Sequence, residues 1–160
     1  MIQAQVERVD ITPDESLIWL RCADPEARMP IVVGRTEADS IQRALEGDAP
    51  PRPMTHDLFD TVLRRTGNRL ERVVVSDLRD NTFFARLQLV TGGRRKTVDA
   101  RPSDAIALAL RASAPIFLEE DVLAGAGQYA TSTLPLPDKP VHKLTKRELR
   151  IFRKLMGFEQ

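Results

Sequence analysis

The chain has 160 residues, of which 42% are hydrophobic, and its 24 basic and 23 acidic side chains leave a net charge of +1. This length is typical of one domain, and the balanced charge gives no global attraction to nucleic acid, so binding to RNA or DNA would need local basic patches. No apolar run approaches the roughly 20 residues that span a bilayer, and the single cysteine, Cys22, has no internal disulfide partner. We therefore expect a protein of the reducing cytoplasm without a membrane partner, in which Cys22 is buried.

The first half of the sequence predicts three short strands followed by two helices. The strands cover residues 2–11, 16–22 and 29–33, where apolar and β-forming residues lie between turn residues. The first helix begins at Thr36, whose hydroxyl would cap it, and ends at Gly47. A second helix begins at Thr55 after a proline-rich connector, and its apolar residues recur at helical spacing: Leu58, Phe59, Val62 and Leu63.

The second half predicts a β-meander over about residues 70–100. Alternating strands are joined there by tight turns at Arg79-Asp80-Asn81 and Gly92-Gly93. A helix over residues 103–112 follows, and it is apolar nearly all round, which is typical of a buried helix. Together these elements predict an α+β fold with a mixed, mostly antiparallel sheet, one buried helix and flanking helices.

We expect three segments along the chain. Residues 1–124 form one domain, residues 125–140 form a flexible connector rich in Gly, Ser, Thr and Pro, and residues 141–160 form a basic C-terminal helix packed on or near the core. The basic face of that helix is either solvated, or an oligomer contact, or a surface that touches RNA or single-stranded DNA. The sequence contains no evident aromatic stacking platform, which disfavours single-strand binding.

His56 lies in the first turn of the second predicted helix, beside Asp57. A helix N-terminus offers unpaired N–H groups and positive potential, so it can hold a phosphate next to a histidine that acts as a base or a metal ligand. The structural alternative is that Thr55 and Asp57 cap the helix while His56 packs or bonds locally. Both interpretations remain open from the sequence.

A second polar cluster surrounds the start of the buried helix. Asp99 ends a strand, Arg101 precedes the helix, and Ser103 and Asp104 lie in its first turn. Carboxylates are the hard ligands that Mg²⁺ or Mn²⁺ prefers, and a cation such as Arg101 can hold a phosphate. In the structural alternative, Asp104 stabilises the helix N-terminus and Arg101 forms an ion pair with Asp99 or another carboxylate.

Taken together, these segments resemble the bifunctional nuclease domain family, long catalogued as a domain of unknown function. The resemblance runs from about Met29 to Leu123 and contains two long motifs in the right order. The matching stretches are Met29–Gly34 with Glu37, Ala38 and Ile41; Pro51–Leu58; Thr82–Ala85; Asp99–Arg111; and Pro115–Phe117. Departures are small: Phe84 and Phe117 stand where the family often has tyrosine, and Met54 where leucine is usual.

The resemblance implies a mixed α+β fold, self-association with a dimer favoured, and a weak nuclease activity of low sequence specificity on RNA and DNA. It supplies no agreed catalytic set. Our first hypothesis is therefore a metal-assisted phosphodiesterase in which Asp99 and Asp104 bind Mg²⁺ or Mn²⁺, His56 beside Asp57 activates water, and Arg101 beside Ser103 holds the phosphate. The second is a non-catalytic, homo-oligomeric binding or regulatory module in which the same residues serve as helix caps and ion pairs.

Overall fold

A computed structural model describes residues 1–22 and 27–126 of the chain. Within this part, seven strands and four helices follow one another. They are β1 (Ile2–Ile11), β2 (Ser16–Cys22), β3 (Ala27–Val33), α1 (Arg35–Glu46), α2 (Thr55–Arg65), β4 (Asn68–Arg79), β5 (Thr82–Thr91), β6 (Arg94–Ala100), α3 (Pro102–Ala112), β7 (Ile116–Leu118) and α4 (Glu120–Gly125). The predicted connector and C-terminal helix lie outside the described residues.

The strands form one sheet in the order β3-β2-β1-β7-β4-β5-β6. All neighbouring pairs are antiparallel except β4 and β7, which are parallel because the chain crosses over through α3 before it returns as β7. This confirms the predicted α+β fold and the meander, which is β4–β5–β6. The short strand β7 joins the meander to the N-terminal hairpins, so the two halves of the chain share one sheet.

The two faces of the meander differ because successive side chains of a strand point in opposite directions. Val73, Val75 and Leu87 point into the hydrophobic core, where they join the buried residues of α3. The residues between them form what we call the outer face, which carries Arg72, Val74, Phe84, Arg86, Gln88 and Phe117. Helix α3 is buried from Ala105 to Ala109, which confirms the prediction of a buried helix.

Helix α1 begins one residue before the predicted position. Its first residue is Arg35 and its N-cap is Gly34, so the prediction that Thr36 caps the helix is wrong. A Cβ added to Gly34 would lie 2.2 Å from the Glu37 carboxylate oxygen Oε2, which leaves no room for a side chain as Glu37 is placed. Gly47 ends the helix as predicted, in the left-handed conformation at φ 68°.

Helix α2 begins at Thr55, as predicted, but its apolar residues do not all pack inward. Leu58, Phe59 and Val62 are 55%, 47% and 50% exposed, and only Leu63 packs against the core. The buried residue of α2 is Asp60, which pairs with Arg64. The helical spacing is confirmed, but it marks an apolar surface rather than a core contact.

Cys22 is a free, fully buried thiol, as predicted, and burial raises its pKa. None of the helices in the described ranges has the length and apolar character needed to cross a membrane.

Candidate active site

The two polar helix starts, which are 48 residues apart in sequence, meet in the structure. His56 lies in the first turn of α2 and Asp104 in the first turn of α3, and His56 Nε2 is 3.0 Å from Asp104 Oδ1. The contact is partly buried, since the two side chains are only 15% and 30% exposed. The convergence that the phosphodiesterase hypothesis requires is therefore present for this pair.

Helix α1 adds a hydroxyl to the other side of the imidazole ring. Ser40 Oγ lies 2.9 Å from His56 Nδ1, and Arg111 Nη2 donates to the same hydroxyl oxygen at 3.1 Å. The hydroxyl hydrogen is then free for donation to Nδ1, which fits the neutral tautomer with its hydrogen on Nε2 facing Asp104. A carboxylate, an imidazole and a hydroxyl are thus connected in that order, as in groups that transfer protons during hydrolysis.

Arg101, the residue before α3, connects the start of α3 to α1. Its Nε donates to Asp104 Oδ2 at 2.7 Å, and its Nη2 donates to Glu37 Oε1 at 2.7 Å. The hydrogen bonds to Asp104 and Glu37 raise the pKa of Arg101. Arg101 thus forms an ion pair of the kind that the structural alternative predicted, with Asp104 and Glu37 rather than with Asp99.

Arg111, in the last turn of α3, contacts both Asp57 and Ser40. Its Nε donates to Asp57 Oδ1 at 2.5 Å, and its Nη1 donates to the Ala107 carbonyl at 2.9 Å. Asp57 also accepts the Met54 N–H at 2.8 Å, which is the helix-capping role that the structural alternative gave it. We call the connected set the polar network; its members are Glu37, Ser40, His56, Asp57, Arg101, Asp104 and Arg111.

The carboxylates of the polar network are held in their charged form. Burial raises the pKa of Asp104, but hydrogen bonds from Arg101 and His56, together with the positive charge of Arg101, outweigh burial and leave the pKa below its ordinary value. Burial likewise raises the pKa of Asp57, and hydrogen bonds from Arg111 and the Met54 N–H outweigh it, so this pKa is lowered too. The site therefore joins ionised carboxylates to arginines at neutral pH.

Two predicted site residues lie outside the polar network. Asp99 is exposed on β6, beside Arg86 of β5, and within residues 1–22 and 27–126 no hydrogen bond or ion pair joins it to the network. Ser103 is only 6% exposed, in the first turn of α3. Their predicted roles, a metal ligand and a partner to the phosphate-holding arginine, stay predictions.

The donor set at Asp104 does not fit a preformed Mg²⁺ or Mn²⁺ centre. Both carboxylate oxygens already accept hydrogen bonds, Oδ1 from His56 and Arg101 and Oδ2 from Arg101. In the part of the chain that the structure describes, no three His, Cys, Asp or Glu side chains converge as metal ligands do. A metal on Asp99 and Asp104 would require Arg101 to move, so we derive no chemical step from one.

An open cleft of about 350 Å³ lies beside the polar network, between the C-terminal end of α1, helix α2 and the last turn of α3. Asp57 and Arg111 belong to both the cleft and the network, and Arg43, Thr61 and Leu110 are among the other residues of its wall. The two arginines on its wall are ion-paired with aspartates of the same wall, Arg43 with Asp48 and Arg111 with Asp57, so an anionic group bound there would compete with these carboxylates.

The sequence did not identify Ser40, Glu37 or Arg111 as members of a site. Ser40 is 71 positions from Arg111, and no motif places it near a histidine. Glu37 and Arg111 fall within the stretches that carry the family resemblance, which was the only available signal. Glu37 and Ser40 are three residues apart, so they share one face of α1, but this spacing alone is common on solvated helices.

Comparisons with known proteins identify the family of the chain. A family model described as the bifunctional nuclease domain matches residues 18–131. An uncharacterised protein of Mycobacterium tuberculosis is 38% identical over 138 residues, which cover 86% of this chain and 79% of that protein. Bifunctional nuclease 1 of Oryza sativa subsp. japonica is 23% identical over 129 residues, which cover 79% of this chain but only 39% of the rice protein. The chain therefore belongs to the bifunctional nuclease domain family.

Proposed function

We propose that this protein is a nuclease of low sequence specificity that hydrolyses phosphodiester bonds in RNA or DNA. The observation that carries the proposal is the connected series Asp104–His56–Ser40, with an arginine at each end. Membership in a family that includes proteins named bifunctional nucleases supports the choice of reaction. Because the match covers only 39% of the rice protein, the activity of that whole protein does not transfer by itself.

His56 is the proton acceptor in this proposal. Its Nε2–H is fixed on Asp104, which leaves Nδ1 with its lone pair toward the Ser40 hydroxyl. A water that attacks phosphorus gives a proton to Ser40 Oγ while Ser40 gives its own hydrogen to Nδ1, so His56 becomes an imidazolium that Asp104 stabilises. The proton later returns to the leaving alkoxide, and Ser40 ends unchanged.

The two arginines supply positive charge for the phosphate. Arg101 is 64% exposed at its side chain, so it can turn from Glu37 toward a substrate, and the bound phosphate then replaces the ion pair with Glu37, which is 17% exposed. Arg111 is only 11% exposed and stays on Asp57, where it holds Ser40 in place. A planar guanidinium can donate two parallel hydrogen bonds to phosphate oxygens. Because Arg101 is exposed and Arg111 is nearly buried, we assign phosphate binding to Arg101 and the positioning of Ser40 to Arg111.

The test removes one hydroxyl from the series. We expect Ser40→Ala to lower the cleavage rate of a labelled oligonucleotide by roughly 100-fold, the smaller end of the effects measured for proton-transfer groups. Thr36→Ala is the matched control, because Thr36 is an exposed hydroxyl on the same helix. Equal rates for Ser40→Ala and the wild type, in protein purified to constant specific activity, would contradict the mechanism.

One observation favours the second hypothesis, a non-catalytic oligomeric module. Each charged side chain of the polar network already has an ion-pair or hydrogen-bond partner within it, as expected for contacts that fix three helices. The exposed apolar residues of α2 also resemble an oligomer contact. A purified protein that folds and self-associates but cleaves neither RNA nor DNA would favour this module over the nuclease.

A further inference from the structure

The outer face of the meander carries aromatic rings and arginines that no step of the proposed reaction uses. Phe84 and Phe117 are 33 positions apart, but strands β5 and β7 both neighbour β4, which places them on this one face. Neighbouring strands are about 4.8 Å apart, so β5 and β7 are separated by about 10 Å. The sequence alone gave no sign of two rings on a shared surface.

Each ring has an arginine above it. The guanidinium carbon of Arg79 is 4.2 Å from the centre of the Phe84 ring, and that of Arg72 is 5.8 Å from the centre of the Phe117 ring. Arg86 lies between the two pairs, because it neighbours Val74, which neighbours Phe117. Aromatic rings and guanidinium planes are the two surfaces on which unpaired bases stack.

The charge of the outer face is positive. Its carboxylates are Glu71, Asp77 and Asp99, and Asp99 lies opposite Arg86. They are outnumbered by five arginines, and within the described ranges no salt bridge holds Arg69, Arg72 or Arg86. The hydrogen bond from Arg95 lowers the pKa of Glu71, and the charges of Arg95, Arg72 and Arg69 add to it, so these arginines lie close together.

We propose that the outer face of the meander binds single-stranded nucleic acid, with bases against Phe84, Phe117 and the arginine planes and phosphates near Arg86, Arg69 and Arg95. The proposal rests on the proposed function only for its choice of ligand. A duplex hides its base faces, so it could use the charge of this face but not the rings. The outer face is therefore a single-strand docking surface separate from the polar network.

The test measures binding apart from cleavage. Fluorescence anisotropy of a labelled oligo(dT) strand of 12 nucleotides, with the strand checked on a gel for integrity, gives the dissociation constant at two salt concentrations. We expect Arg86→Glu to weaken binding by roughly tenfold and to reduce the dependence on salt, since each phosphate contact contributes about 0.7 to the slope for single strands. We expect Phe84→Leu, which keeps an apolar side chain, to weaken binding roughly tenfold without this change in slope.

Arg35→Glu is the matched control, because Arg35 is an exposed arginine at the start of α1 whose salt bridge is with Asp39 at 3.5 Å. It changes the net charge by the same amount as Arg86→Glu, and we expect binding close to that of the wild type. Equal losses for Arg86→Glu and Arg35→Glu, or a wild type that binds the duplex as tightly as the strand, would overturn the proposal. Binding that follows these expectations without any cleavage would uphold it and contradict the nuclease function instead.

Discussion

His56 Nε2 lies 3.0 Å from Asp104 Oδ1, so the first turn of α2 is fixed against the first turn of α3. Helix α1 is bound to the same point, since Ser40 contacts His56, and Glu37 contacts Arg101, which in turn holds Asp104. One histidine and one carboxylate thereby connect three helices. The same contacts serve the stability of the fold and the proposed proton transfer, which is why the two roles must be separated by experiment.

Loss of the Asp104 charge is expected to destabilise the protein. Asp104→Asn weakens the bonds from Arg101 and His56, and because the side chain is 30% exposed, screening limits the loss to about 1–2 kcal/mol in the free energy of unfolding. Urea denaturation at pH 7 measures this value. The matched control is Asp99→Asn, which removes an exposed charge outside the polar network and should change stability by less than about 0.5 kcal/mol. Equal losses for both variants would contradict the contacts assigned to Asp104.

The stability should fall in acid. The folded-state pKa values of Asp104 and Asp57 are lowered, so their contribution is fully present above the unfolded aspartate value of about 3.9 and is lost as the pH falls through the lower folded values. We expect the free energy of unfolding to be flat for these groups from pH 7 to about pH 5 and to decline below about pH 4. Denaturation across this range should show a smaller decline for Asp104→Asn than for the wild type, and identical declines would be inconsistent with the lowered pKa.

Removal of divalent ions distinguishes two accounts of the site. The mechanism through His56 and Ser40 needs no metal ligand, so we expect cleavage to continue at an unchanged rate in EDTA. The alternative is the Mg²⁺ or Mn²⁺ site predicted at Asp99 and Asp104. It requires the opposite result, a loss of cleavage in EDTA and recovery when Mn²⁺ is added. Asp99→Asn provides the residue-level control, because only the metal account predicts that this variant loses activity.

The exposed apolar residues of α2 should mediate self-association. Met54 and Leu58 are 53% and 55% exposed and lie near Phe59 and Val62, so together they present an apolar surface of the kind that proteins bury in an interface. We expect Phe59→Asp to shift the protein from a dimer to a monomer in sedimentation velocity experiments, since an unpaired charge in such an interface is strongly unfavourable. The control is Thr36→Asp, which adds the same negative charge on α1 and should leave the dimer intact. A wild type that sediments as a monomer at all concentrations would contradict this assignment.

Local patterns in the sequence predicted most of the fold. The alternation of Phe83, Ala85, Leu87 and Leu89 defined β5, and the nearly continuous apolar residues of α3 predicted its burial, because both signals depend only on neighbouring residues. The packing of the apolar residues of α2 could not be predicted, since helical spacing shows that they share a face of the helix but not what covers that face. Whether α2 packs inward depends on contacts from distant elements.

The candidate site was predictable only in part. His56 and Asp104 stood out as polar residues at helix starts, and their meeting needed only that the two helices be neighbours. Ser40 and Arg111 could not be found, because a serine and an arginine on helices are ordinary surface residues until tertiary packing brings them together across 71 positions. Asp99 looked equivalent to Asp104 in sequence, yet it lies exposed on β6, and among the described residues no hydrogen bond or ion pair joins it to the polar network.

The most direct test of the account is the cleavage rate of His56→Gln. Glutamine can keep a hydrogen bond to Asp104 but cannot accept a proton at neutral pH, so the variant separates the structural role of His56 from its chemical role. With the wild type and the variant shown to be equally folded, we expect the rate of oligonucleotide cleavage to fall at least about 100-fold. A variant that cleaves as fast as the wild type would show that His56 is only a contact between helices and would contradict the proposed function of the polar network.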